Sequence, residues 1–293
     1  MLDSKPSPPP AKTESHCFSK ASSLLYAPML ASMPEWLVVI VLGIIEGITE
    51  FLPVSSTGHM LLAEAFLPFR QSEVFLAVVQ CGAVLAVLTV FAGRVKDLLL
   101  NFNKPENRDF VLKLAVAFIL TAIGGLILKK LNFKLEENPR PVAWATLIGG
   151  VLILAIEAAV AKKPLRDTVT WPVAIAIGVG QLIAVIFPGS SRSGTTILMA
   201  LALGVNRPKA AEFSFLLGIP TLLAAGALKT YSELKHGEEH VNWTLILLGT
   251  LVAAITAFVV VKWLLRYVQN HTFTVFGWYR ILLGAIILFF LKS

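Results

Sequence analysis

Two acidic side chains lie inside an otherwise apolar stretch early in the chain. Glu46 and Glu50 are four positions apart, so a helix would place both carboxylates on one face. Carboxylates are costly to bury in a bilayer and usually mark a functional site there. Two such groups in contact can share a proton or bind a divalent cation such as Mg²⁺ or Ca²⁺. The pair therefore predicts an acid/base or metal site.

Hydroxyl groups and an imidazole follow this acidic pair. The segment contains Ser55, Ser56, Thr57 and His59. The spacing between Ser56 and His59 allows a hydrogen bond across a loop-to-helix junction, an arrangement that activates a serine or relays its proton. The spacing therefore marks Ser56 and His59 as candidates for an activated serine or a proton relay. Ser55 and Thr57 are candidates for hydrogen bonding to a substrate.

An arginine among hydroxyl groups occurs at a second polar break. The guanidinium of Arg192 is permanently charged, and its fork of donors matches phosphate oxygens. A helix that begins after Gly194 would add free amides and the positive end of its dipole. This pattern predicts a phosphate cradle, and a cluster of helix-capping residues is the alternative. The assisting hydroxyl groups are Ser190, Ser191, Ser193 and Thr196. Arg280, in the last apolar stretch, could bind substrate or reach lipid headgroups.

Membrane helices must position these residues. Hydrophobic residues make up 56% of the chain, charged residues 15%, and the mean hydropathy is +0.76, values that exclude an ordinary soluble domain. Apolar stretches recur at about the 20 residues that a bilayer requires. We predict an all-α integral membrane protein with six transmembrane helices. They lie near residues 73–93, 110–128, 142–160, 212–231, 243–263 and 275–291.

Two further apolar stretches are interrupted by polar residues. Residues 36–67 break at Pro53, and residues 172–203 break at Pro188. Proline removes an amide donor, and irregular backbone at membrane depth survives only where protein or water surrounds it. Both stretches therefore predict re-entrant helical hairpins that line a cavity.

The two hairpins align with each other without gaps. Glu46 and Gln181 are 135 positions apart, as are Ser55 and Ser190. Three predicted spans follow each hairpin, so the second copy enters the membrane from the opposite face. This pattern predicts an inverted-topology repeat whose site lies where the two broken segments meet.

The predicted domain organisation is simple. Residues 1–32 are rich in Pro, Ser and Lys without helical periodicity, which predicts a disordered extension. Residues 33–293 form one membrane domain, with repeat one at about 33–160 and repeat two at about 171–293.

The formal net charge of +7 suits a surface in contact with anionic lipids. No nucleic-acid motif is present, so membrane lipids are the expected partners, and a homodimer is compatible with the sequence. Basic residues are more numerous on the face that carries Arg94 and Lys96. The positive-inside rule therefore predicts that this face is cytoplasmic and that both termini lie outside.

The residues of the two breaks resemble the signature segments of the bacterial undecaprenyl-pyrophosphate phosphatases, the bacitracin-resistance family. The segments are GIIEGITEFLPVSSTGH at 43–59 and PGSSRSG at 188–194. The resemblance extends from Met33 to the C-terminus and includes residues 212–215. The N-terminal extension departs from the family pattern.

This resemblance implies hydrolysis of undecaprenyl pyrophosphate to undecaprenyl phosphate and inorganic phosphate, which recycles the lipid carrier for cell-wall polymers and confers bacitracin resistance. It implies a divalent cation and a site on the extracytoplasmic side of the bacterial plasma (inner) membrane. Glu46 and Glu50 would hold the metal or act as acid and base, and Arg192 would clamp the phosphates. The resemblance implies Ser56 as the candidate nucleophile with His59 as its partner, and leaves His59 or a water bound to the cation as alternative nucleophiles.

A membrane transporter or lipid flippase is the alternative from a different functional class. Such proteins also have inverted repeats, broken helices and buried carboxylates. The other lipid-phosphatase superfamily has a Pro-Ser-Gly-His element similar to residues 56–59. It also expects a histidine soon after its Ser-Arg pair, whereas the next histidine after Arg192 is His236.

Overall fold

The computed structural model describes most of the chain. The described residues are 33–67, 72–131, 133, 139–236 and 242–291. Within these ranges the chain forms eleven α-helices and one isolated β-bridge between Arg166 and Val205. The all-α prediction is confirmed. Residues 1–32, predicted as a disordered extension, lie outside the described residues.

The helices range from 9 to 30 residues in length. They are α1 (Glu35–Thr49), α2 (Ser56–Phe66), α3 (Glu73–Val90), α4 (Ala92–Leu100), α5 (Pro105–Lys130), α6 (Pro139–Val160), α7 (Trp171–Ile186), α8 (Arg192–Ala202), α9 (Arg207–His236), α10 (Trp243–Asn270) and α11 (Thr274–Phe290). The short helices α2 and α8 each follow one of the predicted polar breaks.

Among the described residues, four helices are long and apolar enough to cross a membrane, namely α5, α6, α9 and α10. Helices α3 and α4 form a fifth candidate only if they are taken together, and they are bent by 73° at their junction. Helix α11 has 17 residues and is a shorter apolar helix that does not count among these candidates. The structure thus has four or five candidate spans where the sequence predicts six, and the differences fall at 73–93 and 275–291.

Helices α2 and α8 each begin after a serine with an unusual backbone. Ser55 has φ 75° and Ser191 has φ 69°, in the left-handed region that favours glycine. Ser55 accepts a hydrogen bond from the amide of Gly58 at 3.2 Å, and Ser191 accepts one from Gly194 at 3.1 Å. These N-caps offset part of the strain by satisfying free amides. Strained positions of this kind concentrate at functional sites.

The equivalence of these two serines changes the predicted register by one residue. Pro53 and Pro188 are 135 positions apart, but Ser55 and Ser191 are 136 apart. The second loop therefore holds one more residue between its proline and its N-cap serine. The gapless pairing of Ser55 with Ser190 is corrected by this geometry, because only Ser191 has the cap role of Ser55.

The helices that precede the two polar breaks pack against long helices elsewhere in the chain. Helix α1 lies on α10, and α7 lies on α5. A Cβ atom at Gly47 would lie 2.6 Å from the Ala253 carbonyl oxygen, and one at Gly178 would lie 2.8 Å from that of Ala117. Membrane helices associate through such close contacts because lipid provides no hydrophobic force between them. Glycine at these positions therefore sets how closely the halves approach.

We expect Gly47→Ala to lower the thermal unfolding temperature of the purified protein in detergent. The new methyl group would overlap the Ala253 carbonyl and lie 2.7 Å from Cβ of Thr256, and overpacking of this kind costs about 1–3 kcal/mol. The matched control is Gly125→Ala in α5, where a Cβ meets no atom within 4 Å. The control should change stability by less than about 1 kcal/mol. Equal unfolding temperatures for both variants would contradict a tight α1–α10 contact.

Candidate active site

A buried carboxylate lies where the two hairpins meet. Glu50 caps the C-terminus of α1 and is 6% exposed. Its Oε1 accepts a hydrogen bond from Nη2 of Arg192 at 3.1 Å, and its Oε2 accepts one from Oγ of Ser56 at 3.0 Å. Ser56 and Arg192 are the first residues of α2 and α8. One carboxylate therefore joins the beginnings of both short helices.

The guanidinium of Arg192 is held in place on several sides. Nη1 donates to the Ser214 carbonyl at 3.3 Å, and the group lies 5.1 Å over the ring of Phe51. A Cβ at Gly218 would come within 2.5 Å of Nη1, so glycine leaves room for the arginine. Nε is buried and has no hydrogen-bond partner among the described residues. A fixed guanidinium with an unused donor is well suited to an anionic ligand.

Glu46 lies one helical turn before Glu50 and is 2% exposed. It interacts with the side chains of Glu50 and Gln80, while its Oε1 is buried without a hydrogen-bond partner in the described part of the chain. Gln80, in α3, was missed by the sequence analysis. The available signal was an amide side chain inside an apolar stretch, which usually needs a polar partner.

The surroundings of the acidic pair offer ligands for a divalent cation. Glu46, Glu50, Gln80 and Ser56 offer only oxygen ligands, which Mg²⁺ and Ca²⁺ prefer. The unpartnered Oε1 of Glu46 is a free ligand atom in a buried position. No group of three or more His, Cys, Asp or Glu side chains able to hold a metal occurs among the described residues. These residues fit a cation that takes two carboxylates from the protein and further oxygens from a phosphate ligand.

His59 does not contact Ser56 as the spacing predicts. Its Nδ1 lies 2.7 Å from the Ser55 carbonyl oxygen, and its Nε2 lies 2.6 Å from the hydroxyl of Tyr279. The two rings also stack, with centroids 5.5 Å apart. Because His59 is four residues after Ser55 on a helix, its ring returns to that carbonyl, and Ser56 instead bonds to Glu50. Tyr279 was missed by the sequence analysis, since an exposed tyrosine in an apolar helix has many ordinary roles.

Two predicted hydroxyl groups hold the loops together. The Ser193 hydroxyl lies 3.1 Å from the Glu50 carbonyl oxygen and 3.0 Å from that of Leu52, so it ties α8 to the first break. Thr196 donates to the Arg192 carbonyl at 2.8 Å and lies 2.5 Å from Oγ of Ser214. Both groups are buried and position their neighbours.

The other predicted hydroxyl groups differ in their surroundings. Ser55 and Ser191 are occupied as helix caps. Oγ of Ser190 is buried without a partner among the described residues, and Thr57 is exposed. Of these four residues, only Ser190 and Thr57 have hydroxyl groups that do not cap a helix.

Arg280 lies beneath both loops and is fully buried, with 0% exposure. All five of its N–H donors point at backbone carbonyl oxygens, so it has no donor left for a substrate. It therefore positions the two breaks relative to α6, and its predicted contact with substrate stays a prediction. Its acceptors are the carbonyl oxygens of Pro53, Ala145, Thr146, Gly189 and Ser190, at 3.0–3.4 Å. A Cβ at Gly149 would overlap the guanidinium, so glycine is required there.

Most of this chain matches a known protein family. The family model described as bacitracin resistance protein BacA matches residues 39–286, which include both polar breaks. The chain belongs to the BacA family. With four or five candidate spans among its described residues, this BacA member is a multi-pass membrane protein.

Curated relatives in the BacA family are similar over nearly their whole length. The undecaprenyl-diphosphatase of Xylella fastidiosa (strain 9a5c) is 49% identical over 258 residues, which cover 87% of this chain and 98% of the relative. That of Rhizobium etli (strain CIAT 652) is 49% identical over 251 residues, covering 84% and 94%. That of Xanthomonas oryzae pv. oryzae (strain PXO99A) is 49% identical over 265 residues, covering 89% and 99%.

We expect Arg280→Lys to destabilise this BacA member strongly. Lysine has three donors and no fork, so at least two of the five hydrogen bonds would be lost in a buried position. A hydrogen bond to a charged group contributes about 1.5–3 kcal/mol. Thermal unfolding in detergent measures the effect, with the exposed Arg266→Lys as control. Wild-type stability of Arg280→Lys would show that these hydrogen bonds do not hold the loops.

Proposed function

We propose that this protein hydrolyses undecaprenyl pyrophosphate to undecaprenyl phosphate and inorganic phosphate, and so recycles a lipid carrier for cell-wall polymers. The relatives named undecaprenyl-diphosphatase support this proposal. The family description supports a link to bacitracin resistance. The observation that carries the proposal is the hydrogen bonding of Ser56 and Arg192 to the two oxygens of Glu50.

Binding of the pyrophosphate is assigned to positive groups of both hairpins. Arg192 supplies a fixed guanidinium with its Nε available. The N-termini of α2 and α8 supply free amides and the positive ends of two helix dipoles. Ser190 and Thr57 add hydroxyl groups beside these amides. Such preorganised donors are the main source of catalysis in phosphoryl transfer.

Transfer of the terminal phosphoryl group is assigned to Ser56. Its Oγ attacks phosphorus while Glu50 takes the hydroxyl proton through the existing 3.0 Å hydrogen bond. The new Oγ–P bond forms as the anhydride P–O bond breaks, and undecaprenyl phosphate leaves. Water then cleaves the phosphoserine, both of its protons leave with the inorganic phosphate as H₂PO₄⁻, and the proton held by Glu50 returns to Ser56. His59 and Tyr279 flank the first turn of α2, from which they can hydrogen bond to the same substrate.

A divalent cation, Mg²⁺ or Ca²⁺, is proposed as cofactor. Glu46 and Glu50 would hold it, with the Gln80 amide close by. When bound, such an ion supplies positive charge that offsets the charge of the phosphate oxygens.

The finer architecture is also a proposal. We assign α1–α2 and α7–α8 as re-entrant hairpins of an inverted repeat with six crossings. The paired caps at Ser55 and Ser191 support this assignment, as does the reciprocal contact of α1 with α10 and of α7 with α5. The proposed location is the bacterial inner membrane, with the site open to the extracytoplasmic side.

The function is tested by phosphate release from purified undecaprenyl pyrophosphate in detergent. We expect the wild-type protein to release phosphate with no membrane gradient present, which a transporter or lipid flippase would not do. Arg192→Lys keeps the charge but loses the fork, so we expect at least a 10²-fold loss of kcat, on the order expected when one transition-state donor is removed. The exposed Arg108→Lys is the matched control. An inactive wild-type protein would overturn the proposal, and full activity of Arg192→Lys would remove Arg192 from the site.

We expect chelation of divalent cations to stop phosphate release reversibly. Without the cation, Glu46 and Glu50 would place two carboxylates beside an anionic substrate, which opposes binding. Addition of Mg²⁺ or Ca²⁺ in excess over the chelator should restore the rate, and unfolding temperatures measured in parallel exclude loss of the fold. Full activity in excess chelator would contradict a metal requirement.

A further inference from the structure

Helix α4 turns 73° away from α3 and has one face fixed to the rest of the protein. Nδ2 of Asn107, in α5, donates to Oδ2 of Asp97 at 3.0 Å, and Nη1 of Arg94 donates to Oδ1 of Asn107 at 3.2 Å. Leu98 is buried on the same side. These contacts fix the rotation of α4 about its axis and so determine which face points away.

The opposite face of α4 is apolar and open. Its residues recur at the three- and four-residue spacing of one helix face, and with one residue of α3 they line a groove of about 420 Å³. The lining residues are Leu88, Ala92, Val95, Lys96, Leu99 and Leu100. Leu99 and Leu100 are each 71% exposed. Burial of a leucine side chain is worth about 1.5–3 kcal/mol, so this face is unsuited to water. We name these six residues the α4 groove.

The α4 groove contains one charge, at Lys96. Lys96 is exposed and has no acidic partner among the described residues, whereas Asp97 on the fixed face is paired with Arg94 at 3.3 Å and with Lys104 at 3.8 Å. A lysine amid leucines can lay its alkyl chain along apolar surface and extend its ammonium to a phosphate. The groove therefore matches a ligand with a hydrocarbon chain and an anionic group.

We propose that the α4 groove binds one anionic phospholipid, with an acyl chain along Leu99 and Leu100 and its phosphate on Lys96. A short amphipathic helix with leucines and a lysine on its open face is typical of helices that lie in the membrane interface. A protein partner fits less well, because six residues are far fewer than the roughly 20–30 per side of a stable protein interface. The site is separate from the residues around Glu50, and the proposal does not depend on the proposed function.

Lipid binding to the full-length protein in detergent micelles tests the charge. The probes are phosphatidylglycerol and phosphatidylcholine with identical chains, with bound lipid counted by native mass spectrometry. We expect the wild-type protein to prefer phosphatidylglycerol, and Lys96→Gln to weaken that preference about fivefold, the ratio equivalent to roughly 1 kcal/mol for one lysine at an anionic surface. Lys163→Gln, in the exposed loop after α6, removes the same charge outside the groove and should leave the preference unchanged. No preference in the wild-type protein, or equal losses in both variants, would overturn the proposal.

Cross-linking tests the identity of the occupant. A photoreactive residue in place of Leu99 disturbs no buried contact, because that side chain is 71% exposed. In membranes that contain phosphatidylglycerol we expect a lipid adduct on the peptide that carries position 99. Cross-links to a second copy of the chain or to another protein, in place of lipid, would show that the groove is a protein interface and would overturn the proposal.

Discussion

A carboxylate buried in a membrane protein needs polar partners, and Glu50 receives them from both polar breaks of the chain. Arg192 and Ser56 approach separate oxygens of this carboxylate at 3.1 Å and 3.0 Å. Removal of one member of a buried ionic pair costs more than the pair itself contributes, because the other charge is left behind. The position of each hairpin therefore depends on the other, and the same contact brings a hydroxyl and a guanidinium to one place.

The loops that bring these groups together also contain carbonyl oxygens that need hydrogen-bond donors. Irregular backbone within a membrane leaves carbonyl oxygens without helical partners, and each unsatisfied group is costly. Arg280 supplies donors to both loops, because its N–H groups donate to the carbonyl oxygens of Pro53, Gly189 and Ser190. A guanidinium keeps its charge even when buried, which makes it the suitable donor for several carbonyls. This arrangement also requires glycine at position 149, because any side chain there would occupy the space of the guanidinium.

Close helix contacts make this arrangement rigid. Helices α2 and α8 begin after Ser55 and Ser191, whose backbone is left-handed. Such strain persists only when the surrounding structure holds it. Glycines such as Gly47 and Gly178 let each hairpin lie directly on a long helix of the other half. These tight helix contacts hold the strained turns in place, so that the first residues of α2 and α8 point at Glu50.

The sequence by itself was sufficient for the all-α class, the two polar breaks and the family resemblance, which the match over residues 39–286 confirms. It also singled out Glu50 and Arg192, because a charged side chain is costly in an apolar stretch and usually serves a function there. Ser56 was singled out by its spacing from His59. These conclusions rest on composition and local spacing, which are properties of the chain alone.

Tertiary structure decided which of these groups meet. Local spacing paired Ser56 with His59, but the folded chain pairs Ser56 with Glu50 and His59 with Tyr279. Likewise, only the fold reveals that Arg280 is fully occupied by carbonyl oxygens. These pairings join residues far apart in the chain or depend on side-chain direction at a strained turn. Such distances are set by helix contacts between the two halves, and no local pattern in the sequence encodes them.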